Sequence, residues 1–362
     1  MHQAKLEPGV TLISIKHIKD LYLDLTGTLA IKQIHTDTIS LPELPEHQIY
    51  ADFGDVVGQS LAKRALEIAA AGGHNILMSG PPGTGKSMLA KAVPSILPPM
   101  QLEEMLEVTH LHSLADKQYD QIVTERPFRA PHHTSSDTSI IGGGAKPKPG
   151  EISLSHHGIL FFDELPEFSR ATLEALRQPL EDRTITVARA RDSITFPANF
   201  MLVATSNPCP CGYYGTRKAC TCMPAQIVNY QRKLSGPILD RIDLYVEVDE
   251  VDHASLLART SAEPSATIRN RVMRARERQL NRYKDAKIRN ASLNNRQIKQ
   301  HVIITSEAQA LFNTAAERLG MSARSYMKTI KVAQTIADLD GIDQIEIPHV
   351  TEALQYRRQT GL

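Results

Sequence analysis

Short apolar runs that end in polar residues recur along the first two thirds of the chain. Each run has four to six residues, a length that suits a strand buried on both faces of a parallel sheet. Several of the stretches between them repeat apolar residues every three or four positions, as amphipathic helices do. The pattern therefore predicts an α/β fold in which buried strands alternate with helices. The runs lie at 75–78, 159–162, 200–205 and 244–248.

Helical spacing marks the segments around these strands. The stretch from Ser60 to Ala71 predicts a helix with Ser60 as its N-cap. Shorter helices are expected at 102–114 and 173–180, and the chain after about residue 262 is helical almost throughout. The helices of this last region are predicted at 268–289, 306–319, 322–339 and 347–358.

The first fifty residues give weaker signals. Residues 10–15 alternate like a strand, residues 17–25 have helical spacing, and the prolines at 41–45 indicate a linker. Fifty residues are marginal for an independent hydrophobic core. We therefore divide the chain into an N-terminal segment at 1–50, an α/β core at 51–262 and a helical domain at 263–362.

Composition narrows the class of protein. The 362 residues are 41% hydrophobic with a net charge of +1, so a nucleic-acid partner would have to bind a local basic patch. No apolar run approaches the roughly 18 residues of a membrane-spanning helix, and the N-terminus lacks a signal pattern. We expect a soluble cytoplasmic protein.

The residues after the first apolar run match the phosphate-binding pattern G-x-x-x-x-G-K-[ST] at every fixed position. Its glycines let backbone N–H groups turn towards one anion, and the helix that follows adds its positive end. Lys86 is then expected to reach the β- and γ-phosphates while Ser87 takes one site on Mg²⁺. The alternative, a glycine-rich turn that binds nothing, is disfavoured by the strand before and the helix after it. The eight positions are Gly80, Pro81, Pro82, Gly83, Thr84, Gly85, Lys86 and Ser87.

Polar residues end two further strands. Asp163 and Glu164 follow the run at 159–162, and Asn207 lies just beyond the run at 200–205. In open α/β sheets ligands bind at the carboxyl ends of strands. We expect Asp163 to hold the Mg²⁺ shell, Glu164 to polarise an attacking water, and Asn207 to orient that water. The alternative is that the acids only cap the next helix.

All four cysteines are Cys209, Cys211, Cys220 and Cys222, in two C-x-C pairs. Close thiolate pairs in a reducing compartment favour a metal site over disulfides. Four thiolates could give a tetrahedral zinc site, although C-x-C is tighter than the usual C-x-x-C spacing. We favour a structural zinc ion over free thiols.

Several basic or polar segments leave alternatives open. The long loop at 126–157 is either a surface excursion or a mobile loop that touches substrate. A hairpin at 184–196 carries Arg189 and Arg191 near its tip, which are either solvated or in contact with a nucleic-acid backbone. The segment 268–289 has a net charge of +7 and is a solvated face, a DNA-facing surface or a subunit contact.

The chain from residue 52 to near its C-terminus resembles the magnesium-chelatase-like AAA+ ATPases of the ComM/YifB type. That family implies a five-stranded parallel αβα core, a small helical lid and a hexameric ring. It also implies that Lys86 and Ser87 form the Walker A pair, Asp163 and Glu164 the Walker B pair, and Asn207 sensor 1. The stretches that carry the resemblance are 58–75, 126–133, 149–154, 207–215, 235–241 and 335–339.

The resemblance also assigns roles to two arginines outside the phosphate-binding loop. Arg241 matches the arginine finger, which acts on a neighbouring subunit's nucleotide, although a salt bridge to Asp240 or Asp243 is the alternative reading. Arg324 matches the sensor 2 arginine of the lid. The loop at 126–157 and the hairpin near Arg189 match pore-facing insertions. Residues 1–50 resemble the last piece of a Lon-like domain, so the chain is either truncated or a natural short form.

The activity that the resemblance implies is an ATP-driven ring motor on single-stranded or branched DNA, with ATP and Mg²⁺ as cofactors. It would migrate DNA branches, as a helicase, in recombination or natural transformation. The alternative is a chaperone-like or magnesium-chelatase-like ATPase that remodels a protein partner. A third possibility is a protein that only binds nucleotide.

Overall fold

A computed structural model describes residues 11–13, 15, 17–31, 33–35, 51–116, 122–144, 146–188, 193–234, 236–250 and 263–358. The chain divides into two compact units. The first combines Met1–Gln48 with Met100–Glu125, and the second combines Ile49–Pro99 with Arg126–Leu362. Within the described ranges, no helix is both long and apolar enough to cross a bilayer.

The described part of the first unit contains two helices and a strand pair. Strands Thr11–Ile13 and Gln33–His35 pair antiparallel, and helix Ile18–Leu25 lies between them in sequence. Helix Leu102–Ala115 buries Met105 and Val108 in a small apolar cluster. The first strand and both helices confirm the elements predicted for these segments.

The second unit is built on a five-stranded parallel sheet. Its strands are β1 Ile76–Ser79, β2 Phe128–Arg129, β3 Ile159–Phe162, β4 Met201–Ser206 and β5 Leu244–Glu247. They are ordered β5-β1-β4-β3-β2, so β1 lies inside the sheet. All four neighbouring pairs are parallel, and the interior strands are almost completely buried. The fold class predicted from the sequence is confirmed.

Strand β2 lies in the segment 126–157, which the sequence predicts to be a long loop, so that prediction is wrong for the residues of the segment that form strands and helices. Only two residues pair, too few to show a hydrophobic period, and the N–H of Ile159 donates to the carbonyl of Pro127 at 2.8 Å. The segment also forms other short elements. These are helices Asp137–Ile141 and Glu151–Leu154 and the strand pair Gly142–Gly143 with Lys148–Pro149.

Helices and a hairpin surround the sheet. Strands Thr184–Ala188 and Ser193–Pro197 form the predicted antiparallel hairpin, whose tip residues Arg189 and Arg191 lie outside the described residues. The single helix predicted at 173–180 is two helices in the structure. The helices are Ser60–Gly72, Lys86–Ala92, Arg170–Ala175, Arg177–Asp182, Pro224–Lys233 and Gly236–Leu239.

A helical domain follows the sheet, as predicted. Buried side chains such as Val272 and Ile336 join the same apolar core as Ile68 of helix Ser60–Gly72. A short parallel pair, Ile303–Ile304 with Gln344–Ile345, lies among its helices. The helices are Ser265–Tyr283, Asn295–His301, Ser306–Arg318, Ala323–Asp340 and Ile347–Gln355.

Part of the basic segment 268–289 is bound within the chain. Arg271 forms an ion pair with Glu67 at 2.6 Å, and Arg276 donates to the carbonyl of Ala70. Arg278 and Arg282 form ion pairs with the carboxylates of Asp343 and Asp338. Four of its arginines therefore bind other parts of the fold, an outcome that none of the three predicted alternatives included.

We expect Asp338→Ala to lower the free energy of unfolding by about 3–5 kcal/mol, because it leaves a largely buried guanidinium without its counter-ion. Asp338 is 1% exposed and accepts hydrogen bonds from Arg282, from Asn290 at 2.8 Å and from Gln334 at 3.2 Å. Urea unfolding measures the change.

The matched control is Asp343→Ala, which removes an equal charge from a side chain that is 80% exposed. Exposed ion pairs contribute about 0–1 kcal/mol, so this variant should stay close to the parent. Equal losses in the two variants would contradict the assigned role of Asp338.

Candidate functional site

Three strand ends bring the predicted site residues together. The phosphate-binding loop follows β1, Asp163 and Glu164 follow β3, and Asn207 follows β4. Strand β4 lies between the other two, and Ser206 is in register with Ser79. Because the strands are parallel, their carboxyl ends share one edge of the sheet, where ligands bind in this class of fold.

Lys86 is the cation at the centre of this edge. Its ammonium group donates to the carbonyls of Gly80 and Pro81, both at 2.7 Å, and to Oδ1 of Asn207 at 3.3 Å. Burial lowers the pKa of Lys86, and the nearby Asp163 and Glu164 carboxylates oppose that shift. The loop thus holds a buried ammonium group that can exchange its carbonyl partners for phosphate oxygens.

Close packing leaves no room for a side chain at Gly80. A Cβ atom at this position would lie 2.2 Å from the carbonyl oxygen of Val248, just beyond β5. The N–H of Gly80 donates to the carbonyl of Ser206 at 3.2 Å. The first residue of the loop is therefore held against the backbone at the ends of β4 and β5, the two strands that flank β1.

A hydroxyl of β4 binds the carboxylate of Asp163 and the backbone of Glu164. Thr205 donates to Oδ1 of Asp163 at 2.6 Å, and the same hydroxyl accepts the N–H of Glu164 at 2.9 Å. Glu164 has a φ of 55°, a left-handed conformation that non-glycine residues adopt at a cost of about 1 kcal/mol and that is frequent at functional sites. Sequence reasoning missed Thr205, whose only signal is a hydroxyl near the end of an apolar strand.

Asn207 connects the acid to the cation. Its amide nitrogen donates to Oε1 of Glu164 at 3.0 Å, while its oxygen accepts from Lys86. The structure therefore brings Lys86, Glu164 and Asn207 together, as their predicted roles require.

Ser87 and Asp163 offer the oxygen ligands that Mg²⁺ prefers. The hydroxyl of Ser87 lies 3.0 Å from Oδ2 of Asp163. Neighbouring ligands in an octahedral Mg²⁺ shell, with bonds of about 2.1 Å, lie about 3.0 Å apart. The donor set and its spacing fit this ion.

Gln59 supports the loop from the side. Its amide donates to the carbonyls of Thr84 at 3.2 Å and of Asp249 at 2.6 Å. Ser60 is the first residue of the helix and Gln59 takes the cap position, so the prediction of Ser60 as the N-cap is wrong. Gln59 has a φ of 54°, and its side chain bonds the loop instead of the helix end.

Arg241 and Arg324 lie at the opposite edge of the sheet. Arg241 comes three residues before β5, whose first residue is in register with the first residue of β1. Both arginines bind one carboxylate, Glu181, each at 2.7 Å. Burial raises the pKa of Glu181, but the two arginines hold it below its usual value. The salt-bridge partner of Arg241 is thus Glu181 and not the predicted Asp240 or Asp243.

A cavity of about 480 Å³ surrounds these arginines. It carries more cationic than anionic side chains, and Nε of Arg241 is buried without a hydrogen-bond partner among the described residues. Burial also lowers the pKa of Lys328 and of Lys331. Such a cavity is suited to an anion. Its charged lining residues are Arg183, Arg241, Arg324, Lys328, Lys331, Glu181, Asp240 and Asp243.

The four cysteines form one cluster. The Sγ atom of Cys209 lies 3.4 Å from that of Cys211 and 3.7 Å from that of Cys220, and those two lie 3.5 Å apart. All four sulfurs, including that of Cys222, lie within 4.8 Å of one another. Sulfurs bound to zinc at about 2.3 Å in a tetrahedron are about 3.8 Å apart. The cluster therefore has the spacing of a zinc site.

One thiol of the cluster is ready to ionise. Backbone N–H groups of Tyr213 and Thr221 lower the pKa of Cys211 to about 5. Backbone contacts oppose the shift at Cys220 and Cys222, but burial and the neighbouring sulfurs raise the pKa of both thiols, to about 12 for Cys220. Metal binding requires the thiolate, so a cation at the cluster would have to displace protons from these two thiols.

Comparison with known families gives two matches. Residues 52–256 match the family described as magnesium chelatase, subunit ChlI, and residues 262–357 match the ChlI C-terminal family.

Individual relatives cover most of the chain. It is 47% identical over 346 residues to an uncharacterised protein YifB of Escherichia coli, which covers 94% of this chain and 66% of the relative. It is also 47% identical over 314 residues to the competence protein ComM of Haemophilus influenzae, with 86% of this chain and 61% of ComM covered. A magnesium-chelatase 67 kDa subunit of Heliobacterium mobile is 26% identical over 228 residues, 54% of this chain and 34% of that subunit. The chain thus spans about two thirds or less of the length of these relatives.

Proposed function

Because this chain belongs to the magnesium-chelatase-like AAA+ family of the ComM/YifB type, we propose that it is an ATP-hydrolysing ring motor that acts on DNA. One observation carries the ATPase part of this proposal. Lys86, Ser87, Asp163, Glu164 and Asn207 meet at a single sheet edge and contact one another there, and they are the residue types that phosphoryl transfer to water uses.

Each side chain has a role in this chemistry. Lys86 leaves the carbonyls of its own loop and donates to the β- and γ-phosphates. Ser87 and Asp163 hold Mg²⁺, which when bound neutralises charge that develops on the phosphate oxygens. Glu164 accepts the proton of the attacking water, and Asn207 keeps that carboxylate and water aligned.

The arginines at the other edge complete the site of a neighbouring subunit. Arg241 and Arg324 bind Glu181 near the amino ends of the strands, whereas the phosphate-binding loop of their own chain follows the carboxyl end of β1. In a ring of identical subunits packed head to tail, one edge of each sheet meets the opposite edge of the next. Phosphate oxygens would then replace Glu181 as the partner of both arginines, and we propose a hexamer.

The DNA part of the proposal rests on the relative named as a competence protein, at 47% identity. We propose branch migration or helicase activity on single-stranded or branched DNA, in recombination or natural transformation, and hence in the cytoplasm. The hairpin that carries Arg189 and Arg191 is the proposed DNA contact. Helix Ser265–Tyr283 is a weaker choice because four of its six arginines already bind carboxylates or a carbonyl.

The engagement of these four arginines within the chain is the observation that favours a second function, the remodelling of a protein partner by the same ATPase cycle. The proposed cofactors, ATP and Mg²⁺ with a structural Zn²⁺ on the cysteine cluster, are the same in both cases. The proposed domains are also the same, with a core at 51–262 and a lid at 263–362.

Two substitutions separate binding from turnover. Lys86→Ala should abolish ATP binding or hydrolysis, because it removes the buried cation. Glu164→Gln should bind ATP but lower kcat by about 100-fold or more, because it removes the general base. Phosphate release and equilibrium nucleotide binding measure the two effects. Hydrolysis at the parental rate by Glu164→Gln would refute the assignment of the base.

Mixing inactive variants tests the shared site. Arg241→Ala subunits mixed with Lys86→Ala subunits should recover part of the ATPase rate, since an intact loop then meets an intact arginine. The matched control mixes Lys86→Ala with Glu164→Gln, which damage the same edge and should recover nothing. No recovery at any ratio in the first mixture would contradict action between subunits.

DNA should stimulate the ATPase if the motor acts on DNA. We expect stimulation by branched or single-stranded DNA, with binding that weakens by about 10³-fold or more between 50 and 200 mM salt if six or more phosphates are contacted. Arg189→Ala with Arg191→Ala should reduce the salt slope by about one for each phosphate that the hairpin no longer binds.

Arg278→Ala is the control for charge, because this arginine is paired with Asp343 in the same chain. DNA should stimulate the ATPase of this variant as much as it stimulates that of the parent. An ATPase that no DNA stimulates would favour the protein-remodelling function instead.

A further inference from the structure

The cysteine cluster lies beside the phosphate-binding loop. We call residues 209–222, from the first cysteine to the last, the cysteine knuckle. Asn207, the residue between Lys86 and Glu164, precedes the knuckle by two positions. The knuckle is therefore continuous in sequence with the site.

Gly212 makes a second connection, directly to the loop. It is buried and has a φ of 83°. A Cβ atom there would lie 2.5 Å from Cδ and 2.6 Å from Cγ of Pro82, the third residue of the loop. These are ring atoms with little freedom to move, so the knuckle backbone sits directly against the loop at this point.

Bonds between sulfur and backbone hold this part of the knuckle in shape. The N–H of Gly212 donates to the carbonyl of Cys209 at 2.9 Å, and the N–H of Tyr214 donates to Sγ of Cys209 at 3.3 Å. The N–H of Cys211 donates to Sγ of Cys222 at 3.4 Å. Gly212 thus lies in a turn that is bonded to two of the cysteines, and its position depends on where their sulfurs are fixed.

The helix that follows the knuckle holds its other end. In helix Pro224–Lys233, the amide of Gln231 donates to the carbonyl of Pro208 at 3.3 Å, and the hydroxyl of Tyr230 interacts with the backbone of Asn207. A metal ion at the sulfurs would close the loop between residues 209–211 and residues 220–222. It would then fix the segment from Asn207 to this helix as one body.

We propose that a zinc ion on the four cysteines positions the phosphate-binding loop through the contact of Gly212 with Pro82, so that zinc occupancy sets the affinity for nucleotide. Zinc takes no part in the hydrolysis. It acts on the position of the backbone N–H groups that receive the phosphates, and displacements of about 1 Å at such sites cost as much as 100-fold. The inference rests on the proposed binding of ATP.

Two glycines of the knuckle allow a matched test. Gly215 has a φ of 78°, close to that of Gly212, but a Cβ atom there would meet no described residue within 4 Å. Gly212→Ala and Gly215→Ala therefore carry a similar backbone cost, and only the first displaces Pro82. Both should keep zinc, since neither residue is a ligand.

The experiment uses the full 362-residue chain and two readouts. Elemental analysis should give one zinc per chain for the parent and both glycine variants. Titration with Mg²⁺ and N-methylanthraniloyl-ATP should give a Kd about tenfold or more weaker for Gly212→Ala than for Gly215→Ala. Cys222→Ser should lose zinc and weaken the same Kd, with circular dichroism to check that it is folded.

The outcomes separate the two proposals. A parent that does not bind the analogue refutes the proposed nucleotide function. A parent that binds it while both glycine variants bind equally well refutes the positioning role of the knuckle alone. A parent without zinc, or a Gly212→Ala chain that no longer holds zinc, also overturns the inference.

Discussion

The hydroxyl of Thr205 is the group on which the arrangement of the site depends. It donates to the carboxylate of Asp163 and accepts the backbone N–H of Glu164, so one buried oxygen holds both residues. This is possible only because β4 lies between β1 and β3 in parallel register. The left-handed backbone at Glu164 is held by the same bond. A local strain that would relax in a flexible loop therefore persists here.

The two edges of the sheet carry different charged groups. One edge gathers the loop, the carboxylates and the buried ammonium group of Lys86, and the other gathers arginines and lysines around Glu181. Within the part of the chain that the structure describes, neither edge carries a full set of partners for a triphosphate. Parallel strands make this separation unavoidable, because residues before and after a strand lie on opposite edges.

Much of the site could be predicted from the sequence, because each signal was local. An apolar run followed by polar residues locates a strand end, and the loop, Asp163, Glu164 and Asn207 all follow such runs. Long-range contacts gave no such signal. Three such contacts depend on how distant segments pack. They are the binding of two arginines by Glu181, the bond from Thr205 to Asp163, and the ion pairs of three arginines in helix Ser265–Tyr283. The two-residue strand β2 was missed because pairing of two residues leaves no period to detect.

The close approach at Gly80 changes how variation in this loop should be interpreted. A side chain at this position would clash with the carbonyl of Val248, which is part of the protein and not of a nucleotide. If related chains all have glycine at this position, the close approach of the two backbone segments is sufficient to explain it. It would say nothing about phosphate binding, and a chain without catalytic activity would be expected to keep it.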